Sequence, residues 1–323
     1  MSAEFDLIAR HFSRPVPAGL LGGGDDCALF PVPAGKHVAT STDLLLEGRH
    51  FFPDVDPAAL GHKALAVNLS DLAAMGARPI ACVLGLALPH VDNAWLAAFA
   101  DGFYTLAERH GCPLIGGDTT RGATLAISVT VFGAVDPARA LRRAAARVGD
   151  DIWVSGQLGA ADVALRLLLG SLPADPERLA LARPALEWPE PQVALGQALA
   201  GVAHAAIDIS DGLLQDLGHI LKASACGADI EAAALPAHDA LAGLPAELAR
   251  QALLAGGDVY QLCFTAAPGA RAELAGLAAE AGLRLSRIGT ISAEPGQRVH
   301  LPDGSVLPAM AGGFDHFRES HGA

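Results

Sequence analysis

Residues 57–88 read PAALGHKALAVNLSDLAAMGARPIACVLGLAL and predict a helix followed by a strand. The helix covers Pro57–Gly76, where leucines repeat at the 3.6-residue spacing of one helix face: Leu65, Leu69 and Leu72. Gly76 and Pro79 end the predicted helix. The strand is the apolar run Ile80–Leu88, whose length and lack of charge are typical of a strand buried on both faces. A helix followed at once by a buried strand is typical of an α/β domain.

The alternation of helices and strands continues in both directions from this stretch. Short apolar or β-branched runs predict the strands Val38–Thr42, Leu125–Val135, Asp151–Ser155, Ala205–Ile209, Val259–Thr265 and Arg287–Ile291. Amphipathic runs predict the helices Phe5–Phe12, Ala94–His110, Ala160–Leu169, Gly212–Ser224 and Ala270–Ala281. Leu172–Pro191 contains five prolines, which predicts a loop or a broken helix. Pro302–Gly304 predicts a hairpin turn.

An arginine-rich stretch divides the chain into two predicted domains. Asp136–Asp151 contains four arginines and few large apolar residues, which marks a change in composition. We therefore predict an N-terminal α/β domain at residues 1–136 and a C-terminal α/β domain at residues 137–323. The fold class is α/β of the α+β type, in which each of the two domains is a mixed β-sheet with packed helices.

The composition excludes several classes of protein. Apolar residues make up 51% of the 323 residues, so the chain is not intrinsically disordered. The formal net charge of −13 argues against binding to nucleic acid or to an anionic membrane surface. The longest apolar runs are about half of the roughly 20 residues that a membrane span needs, and Met1–Arg10 lacks the basic start of a signal peptide. We therefore predict a cytoplasmic protein whose five scattered cysteines are reduced, buried thiols.

Five short segments place acidic residues beside glycine, serine, threonine or asparagine. Most of them follow a predicted strand, and ligand sites of α/β proteins gather at strand ends. The segments are Gly22–Asp26, Ser41–Asp43, Asn68–Asp71, Gly116–Thr120 and Asp208–Gly212. Carboxylate and hydroxyl oxygens, together with substrate phosphates, are the ligands that Mg²⁺ prefers. The set as a whole predicts a magnesium–phosphate site suited to phosphoryl transfer.

Taken singly, these residues allow other interpretations. Asp71 follows Asn68 by three residues, so both lie on one helix face, yet Asp71 could simply face solvent. Asp211 stands directly before Gly212–Ser224, and as a single residue it is better explained as a helix N-cap than as a ligand. Asp208 lies inside an apolar strand, where aspartate is rare, and its position needs a reason such as a metal.

The sequence lacks the patterns of several other nucleotide and metal sites. No G-x-x-x-x-G-K-[ST] segment occurs, and no G-x-G-x-x-G segment follows a strand. None of the twelve histidines forms an H-E-x-x-H pair. We therefore expect neither a P-loop nor a zinc site, and an acidic protein of this kind binds an acidic nucleotide through bridging cations.

In order and spacing, the motifs resemble the thiamine-monophosphate kinase family, and the resemblance covers nearly the whole chain. The segments that carry it are Glu4–Ile8, Gly24–Leu29, Ser41–Asp43, Gly48–Phe51, Lys63–Gly76, Gly116–Gly122, Ile207–Leu213 and Gly313–Phe317. The family belongs to a superfamily of two-domain ATP-using enzymes that includes aminoimidazole-ribonucleotide synthetase and selenophosphate synthetase. The resemblance implies an aminoimidazole-ribonucleotide synthetase-like fold, a homodimer formed through the N-terminal domain, and an active site between the two domains.

The resemblance also implies a reaction and its residues. The γ-phosphate of ATP passes in line and directly to thiamine monophosphate, with several Mg²⁺ ions and no phosphoenzyme, in the final step of thiamine diphosphate synthesis. The implied metal ligands are Asp26, Ser41, Thr42, Asp43, Asp71, Asp118, Asp208 and Asp211. The implied ATP contacts are Gly117, Asp118, Arg143 and Ser210. The aspartates implied to be catalytic are Asp43, Asp71, Asp118 and Asp208.

The residues implied to contact thiamine monophosphate depart from the family pattern at two places. The family segment Gly-Gly-Glu-Asp-Tyr-Glu-Leu here reads GGDVYQL over residues 256–262, so the substrate-facing glutamate becomes Asp258. Phe314 stands where the family commonly has tyrosine or tryptophan. Asp258 and Phe314 keep one acid and one aromatic ring for the cationic thiazolium. The attraction between the cation and the face of the ring is worth roughly 0.5–2 kcal/mol. His50 is implied to contact the substrate as well, and we expect retained activity with weaker substrate binding.

Three other functions stay open at this point. The first is another ATP-dependent synthetase of the same superfamily, against which Gly48–Phe51 and Gly313–Phe317 favour the kinase. The second is an unrelated magnesium phosphohydrolase, which would release phosphate from ATP without a thiamine acceptor. The third is a non-catalytic nucleotide- or thiamine-binding module, which the altered segment Asp258–Gln261 motivates.

Overall fold

The computed structural model describes residues 3–308, which form two compact units. The first contains residues 3–140 and the segment Glu187–Gln197, and the second contains Leu141–Leu186 and residues 198–308. Each unit is a β-sheet with packed helices, which confirms the predicted fold class. The domain boundary at residue 136 stays a prediction, and the composition does not predict the return of Glu187–Gln197 to the first unit.

The first unit is built on a four-stranded sheet. Its elements are α1 (Ala3–His11), β1 (His37–Leu46), α2 (Pro57–Ala74), β2 (Arg78–Leu88), α3 (Asn93–Arg109), β3 (Leu114–Arg121) and β4 (Ala126–Val135). The strands lie in the order β1–β4–β2–β3. Strand β4 is antiparallel to both of its neighbours, and β2 is parallel to β3. The helix and the strand predicted within residues 57–88 are confirmed.

The core of the first unit lies between this sheet and the helix pair α2 and α3. The predicted leucine stripe of α2 is buried, with Leu65, Leu69 and Leu72 at most 1% exposed. Helix α3 adds the fully buried rings of Phe99 and Phe103. Complete burial of such a side chain stabilises a fold by about 1.5–3 kcal/mol, so the leucine spacing is what holds α2 against the sheet.

Two glycines let α2 and α3 approach each other closely. A Cβ atom on Gly61 would overlap the backbone carbonyl of Phe99, and a Cβ atom on Gly102 would overlap the backbone carbonyl of Ala58. A packed helix backbone cannot move aside as the end of a flexible side chain can. The close approach of the two helices therefore requires glycine at both positions.

The segment Glu187–Gln197 packs on the helices of the first unit. His62 Nε2 on α2 donates a hydrogen bond to the carbonyl oxygen of Pro189 at 2.8 Å. Arg109 Nη2 at the end of α3 donates to Glu190 Oε2 at 2.6 Å. These contacts explain why a segment so late in the sequence belongs to the first unit.

The second unit is built on a seven-stranded mixed sheet. The elements after β4 in the chain are β5 (Asp151–Ser155), α4 (Ala160–Leu168), α5 (Pro176–Glu187), α6 (Val193–Leu199), β6 (Ala205–Asp208), α7 (Leu213–Ser224), β7 (Gly227–Glu231), α8 (Ala246–Ala255), β8 (Leu262–Ala266), α9 (Arg271–Ala281), β9 (Leu285–Ser292), β10 (Gly296–His300) and β11 (Val306–Pro308). Most of α6 belongs to the first unit. The strand order is β11–β10–β7–β9–β5–β8–β6. Only the β7–β10 pair is parallel among the described strands of this sheet.

The expectation of a loop or broken helix at Leu172–Pro191 is wrong, because most of this stretch forms α5. The first residue of α5 is a proline, which is tolerated where no intrahelical N–H bond is needed. Asp175 Oδ1 accepts a hydrogen bond from Arg178 N at 3.0 Å in the first turn. Pro184 lies inside the helix, where packing of the buried Ala182 and Leu186 outweighs the lost hydrogen bond.

Other predicted elements match with shifted ends, and some elements were not predicted. The hairpin turn at Pro302–Gly304 is confirmed between β10 and β11. The strand predicted from Val259 begins at Leu262 instead. Helices α6 and α8 and strand β7 have no counterpart among the predictions. All are ten residues or fewer, a length at which periodicity is a weak signal.

The cysteines and helices also bear on the predicted location. All five cysteines are free thiols, but Cys27 is exposed, so the expectation of buried thiols is wrong at this position. Across residues 3–308, no helix has both the length and the apolar character needed to cross a bilayer.

We expect Gly61→Ala to destabilise the first unit, because the added methyl group would force the backbones of α2 and α3 apart. Overpacking of this kind typically costs about 1–3 kcal/mol. Thermal unfolding followed by circular dichroism measures the effect. The matched control is Gly276→Ala in α9, where a Cβ meets open space and the change should stabilise by about 0.5–1 kcal/mol. Equal melting temperatures for the two variants would contradict the role of Gly61.

Candidate active site

The polar side chains of the first unit meet where β1 passes α2. Ser41 Oγ donates a hydrogen bond to Asp71 Oδ2 at 2.5 Å, and Asp43 N donates one to Asn68 Oδ1 at 3.0 Å. Asn68 Nδ2 in turn donates to the carbonyl oxygen of Ala64 at 3.0 Å, which orients the amide. Alternate residues of a strand share a face, as do residues three apart on a helix. The prediction that Asn68 and Asp71 face the same way is therefore confirmed.

The two carboxyl groups of this cluster are held close together in a partly buried place. Burial, followed by the negative charge of Asp71, raises the pKa of the Asp43 carboxyl from 3.8 to about 7. A divalent cation would favour the charged form of both groups. The oxygens of Ser41, Asp43 and Asp71 are hard ligands of the kind that Mg²⁺ selects. The donor set therefore fits magnesium.

Magnesium commonly uses one or two carboxylates and completes its coordination with water and substrate phosphates. This cluster has two carboxylates. In the described part of the chain, no three His, Cys, Asp or Glu side chains are grouped so as to hold a metal ion.

Gly117 and Asp118 lie on β3, at the opposite edge of the sheet from β1. The strand register puts Asp43 in one row with Gly117, whereas Asp118 belongs to the next row. Side chains of adjacent rows project to opposite faces, and three strand spacings amount to about 14 Å. A single chain therefore does not bring Asp118 to Asp43.

The expectation that most acidic segments follow a strand is wrong for two of them. Ser41–Asp43 lies inside β1 and Gly116–Thr120 lies inside β3. Pairing with β4 and β2 extends both strands through the polar residues. Cross-strand neighbours outweigh the low intrinsic strand preference of aspartate and glycine here.

Three further predicted residues of the first unit lie outside the cluster. Thr42 is exposed on the other face of β1, where its Oγ1 is 2.6 Å from Thr130 Oγ1. Asp26 is exposed in the segment before β1. His50 follows β1, and its Nδ1 accepts a hydrogen bond from Leu46 N at 3.0 Å. Because Nδ1 accepts, the neutral ring carries its proton on Nε2.

In the second unit, the predicted ligands lie at the junction of β6 and α7. Asp208 ends β6 and is buried, and Ser210 and Asp211 follow in the connecting loop. Gly212 then has a φ of 122°, and a Cβ atom there would lie 2.7 Å from the carbonyl oxygen of Ala255. The loop therefore needs glycine at this position, and its backbone path is closely constrained.

The expectation that Asp211 caps α7 is wrong, because the N-cap residue is Gly212. Asp216, in the first turn of α7, instead binds the backbone amides that lead into the helix. Its Oδ2 accepts backbone hydrogen bonds from Ser210, Asp211 and Gly212 at 3.0, 3.0 and 3.1 Å. Burial raises the pKa of the Asp216 carboxyl to about 7, although the three amides oppose this rise. Asp216 was not among the predicted site residues, although an acid in the first turn is favoured by the positive end of the helix dipole.

Asp258 lies in a segment that is hydrogen-bonded to the loop after β6. Asp258 N donates to the carbonyl oxygen of Ser210 at 2.8 Å, and Tyr260 N donates to that of Ile209 at 2.7 Å. Asp258 and Tyr260 have φ values of 57° and 52°. Each such residue typically costs about 1–3 kcal/mol, and such strain is concentrated at binding sites. Tyr260 Oη donates to Asp258 Oδ1 at 3.1 Å, a contact that the sequence analysis did not anticipate.

The fold accommodates the departures from the family pattern near Asp258. Val259 is partly buried and packs against the core of the second unit. Gln261 Oε1 accepts a hydrogen bond from Ser155 Oγ at 2.7 Å, and the same hydroxyl oxygen accepts one from Leu262 N at 2.9 Å. These two residues therefore have structural partners, and Asp258 is the acid that this segment presents.

The two remaining predicted residues are Arg143 and Phe314. Arg143 is exposed in a short 3-10 turn, and its carbonyl oxygen accepts a hydrogen bond from Ser224 Oγ at 2.8 Å. Phe314 lies outside the described residues.

Comparison with known families agrees with this architecture. Residues 24–135 match the N-terminal domain of AIR synthase related proteins, and residues 147–302 match their C-terminal domain. Fold and sequence thus define a two-domain protein of the AIR synthase related class.

Individual relatives narrow this class further. The chain is 45% identical to the thiamine-monophosphate kinase of Escherichia coli (strain K12) over 320 residues, which are 97% of this chain and 98% of that protein. It is 46% identical to the thiamine-monophosphate kinase of Stenotrophomonas maltophilia K279a, whose crystal structure aligns with a TM-score of 0.83 over 94% of this chain and 96% of that one. AaThiL complexed with AMPPCP and TMP is 27% identical, with a TM-score of 0.77 over 97% and 96% of the two chains. The chain belongs to the thiamine-monophosphate kinase family.

We expect Asp43→Asn to stabilise the metal-free protein at pH 8 and to leave its stability unchanged at pH 4. Because folding raises the pKa of this carboxyl, its contribution to stability is present below pH 4 and is lost as the pH rises toward 7. The melting temperature at pH 8 should rise by a few degrees, since one kcal/mol corresponds to about 2–4 °C in a unit of roughly 150 residues.

The control for this measurement is Asp101→Asn, at an exposed position on α3, which should not change the melting temperature at either pH. Adding Mg²⁺ at pH 8 should stabilise the wild type more than Asp43→Asn. If Asp43→Asn and the wild type have the same melting temperature at pH 8, the charge of Asp43 does not destabilise the folded protein.

Proposed function

We propose that this protein transfers the γ-phosphate of ATP to the phosphate of thiamine monophosphate, giving thiamine diphosphate and ADP. The observation that carries the proposal is the carboxyl pair of Asp43 and Asp71, whose donor set fits magnesium, in a chain that belongs to the thiamine-monophosphate kinase family. The relative AaThiL, which binds an ATP analogue and TMP, supports both substrates. We place the reaction in the cytoplasm, where ATP is available and free thiols stay reduced.

Eight residues are proposed to hold Mg²⁺. They are Asp26, Ser41, Thr42, Asp43, Asp71, Asp118, Asp208 and Asp211. Bound magnesium supplies charge neutralisation for the phosphate groups of donor and acceptor. The proposed ATP contacts are Gly117, Asp118, Arg143 and Ser210.

The protein's own part in the proposed reaction is to position two anions in line. The acceptor is a phosphate oxygen that is already deprotonated near neutral pH, so no strong general base is needed. His50 carries its proton on Nε2, because Nδ1 accepts from the backbone, and this N–H suits a phosphate oxygen of thiamine monophosphate. The Asp258 carboxylate suits the cationic thiazolium, and Tyr260 Oη orients it.

We also propose that the protein is a homodimer formed through the sheet of the first unit. Three apolar side chains on one face of β1 are exposed: Val38 at 47%, Leu44 at 54% and Leu46 at 37%. In the described part of the chain, β1 and β3 each pair with one strand only, so both sheet edges are open. Exposed apolar residues beside open strand edges favour pairing with a second chain.

A second copy would also solve the separation of Asp118 from Asp43. If β1 of one chain meets β3 of another, Asp118 of the partner subunit approaches β1 from its open edge. The separation of the two strands is then one strand spacing, about 4.8 Å, instead of three. The proposed site thereby takes Asp118 in trans.

The proposed reaction is tested by incubating the protein with ATP, Mg²⁺ and thiamine monophosphate, and then separating the thiamine phosphates by chromatography. We expect thiamine diphosphate and ADP in equal amounts, and no product with EDTA. Asp43→Asn and Asp208→Asn should lower kcat by about 100-fold or more, because each removes a proposed metal ligand. Asp101→Asn is the control and should keep wild-type kcat. ATP consumption without thiamine diphosphate would overturn the proposal in favour of a hydrolase.

The shared site is tested by mixing two inactive variants, Asp43→Asn and Asp118→Asn, under conditions that exchange subunits. In a mixed dimer, one of the two sites then contains both intact aspartates. Random pairing of equal amounts should restore about a quarter of wild-type activity. Activity that stays at the level of the separate variants, although mixed dimers are seen by native mass spectrometry, would place Asp118 in cis.

A further inference from the structure

Asp216 occupies an unusual position for an acid of the second unit. Asp216 lies on the first turn of α7 and is only 2% exposed. One oxygen, Oδ2, accepts hydrogen bonds from three consecutive backbone amides at 3.0, 3.0 and 3.1 Å. Three convergent N–H groups at a helix N-terminus form a nest that is typical of anion-binding loops. Here the anion in the nest is a side chain of the protein itself.

The three amides belong to Ser210, Asp211 and Gly212, the loop that carries proposed metal and ATP contacts. Because one carboxylate oxygen receives all three N–H groups, the orientation of three successive peptide planes depends on it. Those planes set the directions of the Ser210 and Asp211 side chains.

The surroundings of Asp216 argue against a purely stabilising role. Asp216 accepts a hydrogen bond from the amide of Asp211, and the negative charge of the Asp211 carboxylate helps to raise the pKa of the Asp216 carboxyl. Such placement of like charges is costly, and it is typical of functional sites. A neutral cap such as serine or asparagine would satisfy the helix end without this repulsion.

The opposite side of the same loop is held independently. Ile209 N donates to the carbonyl oxygen of Gln261 at 2.8 Å, and Tyr260 N donates to that of Ile209 at 2.7 Å. Gln261 is in turn anchored by Ser155. Because these bonds are made at Ile209 and Gln261, outside residues 210–212, the segment that presents Asp258 keeps them when the Asp216 contacts are removed.

We infer that Asp216 is a positioning residue for magnesium–nucleotide binding, which acts by holding the backbone of residues 210–212 in one conformation. The inference rests on the proposed function, since that loop is where metal and ATP contacts are proposed. Asp216 does not touch substrate. Its loss should weaken binding of the magnesium–nucleotide complex and leave the KM for thiamine monophosphate nearly unchanged.

The test is the dissociation constant of the Mg²⁺ complex of AMPPCP, measured by calorimetry on the full-length protein. We expect Asp216→Ala to raise this constant by about tenfold or more. Asp216→Asn keeps an acceptor oxygen in the same place and should recover most of the affinity. In steady-state assays, Asp216→Ala should raise the KM for ATP by a similar factor and change the KM for thiamine monophosphate less than about twofold.

The matched control is Asp151→Asn, which removes another buried carboxyl of the same unit. Asp151 pairs with Arg271 and Arg287 and does not touch the loop. This control should lower the melting temperature without changing the dissociation constant. If Asp216→Ala does not fold, Asp216→Asn is compared with Asp216→Glu, whose longer side chain displaces the acceptor and should bind the nucleotide more weakly.

Two results would overturn the inference. One is Asp216→Ala that is folded at the assay temperature and binds the nucleotide complex within twofold of wild type. The other is an equal rise in both KM values, which a general loss of structure would produce. The proposed function is judged separately by thiamine diphosphate formation in the wild type, so its failure and that of the Asp216 inference are distinguishable.

Discussion

The packing of α2 against β1 is the constraint on which the polar cluster of the first unit depends. The close approach of α2 to α3 at Gly61 and Gly102 buries nearly every side chain of α2. Polar groups in such a helix need partners, because an unsatisfied buried donor or acceptor costs about 1–3 kcal/mol. Asn68 finds them in the Asp43 amide and the Ala64 carbonyl. The same packing that forms the core therefore places Asp43 beside α2.

The second unit reaches a comparable arrangement by a different route. A loop rather than a helix face holds its proposed ligands, and Asp216 and Gly212 define the course of that loop. In each unit, a carboxyl group lies next to a second acid and has its pKa raised to about 7, mainly by burial. Acids placed together at the expense of stability are typical of functional sites.

Local spacing explains which parts of the site could be predicted. The stripe of leucines located α2, and the three-residue interval between Asn68 and Asp71 showed that they share a face. The apolar run around Asp208 located a buried strand. Each of these signals depends on residues within about two helical turns or one strand, where backbone geometry alone relates position to direction.

The predictions that were wrong failed because of contacts beyond the short segment from which each was made. The side chain of Asp211 does not cap α7, because Gly212 occupies the N-cap position and the amides of residues 210–212 bind Asp216. Helix α5 tolerates Pro184, because packing of its buried face compensates for one hydrogen bond. Strands β1 and β3 continue through polar residues, because their neighbours in the sheet complete the pairing. None of these influences is visible in a short window of sequence.

The sequence by itself determined the alternation of helices and strands, the family and the kind of chemistry, because these depend on local periodicity and on residue type. Only the tertiary structure decided how the acids are grouped. The order of the strands puts Asp118 at the far edge of the sheet from Asp43, and the pairing of residues 258–260 with the loop after β6 puts Tyr260 Oη on the Asp258 carboxylate. Strand order and register bring together residues that are distant in the chain, and no spacing rule within one segment specifies them.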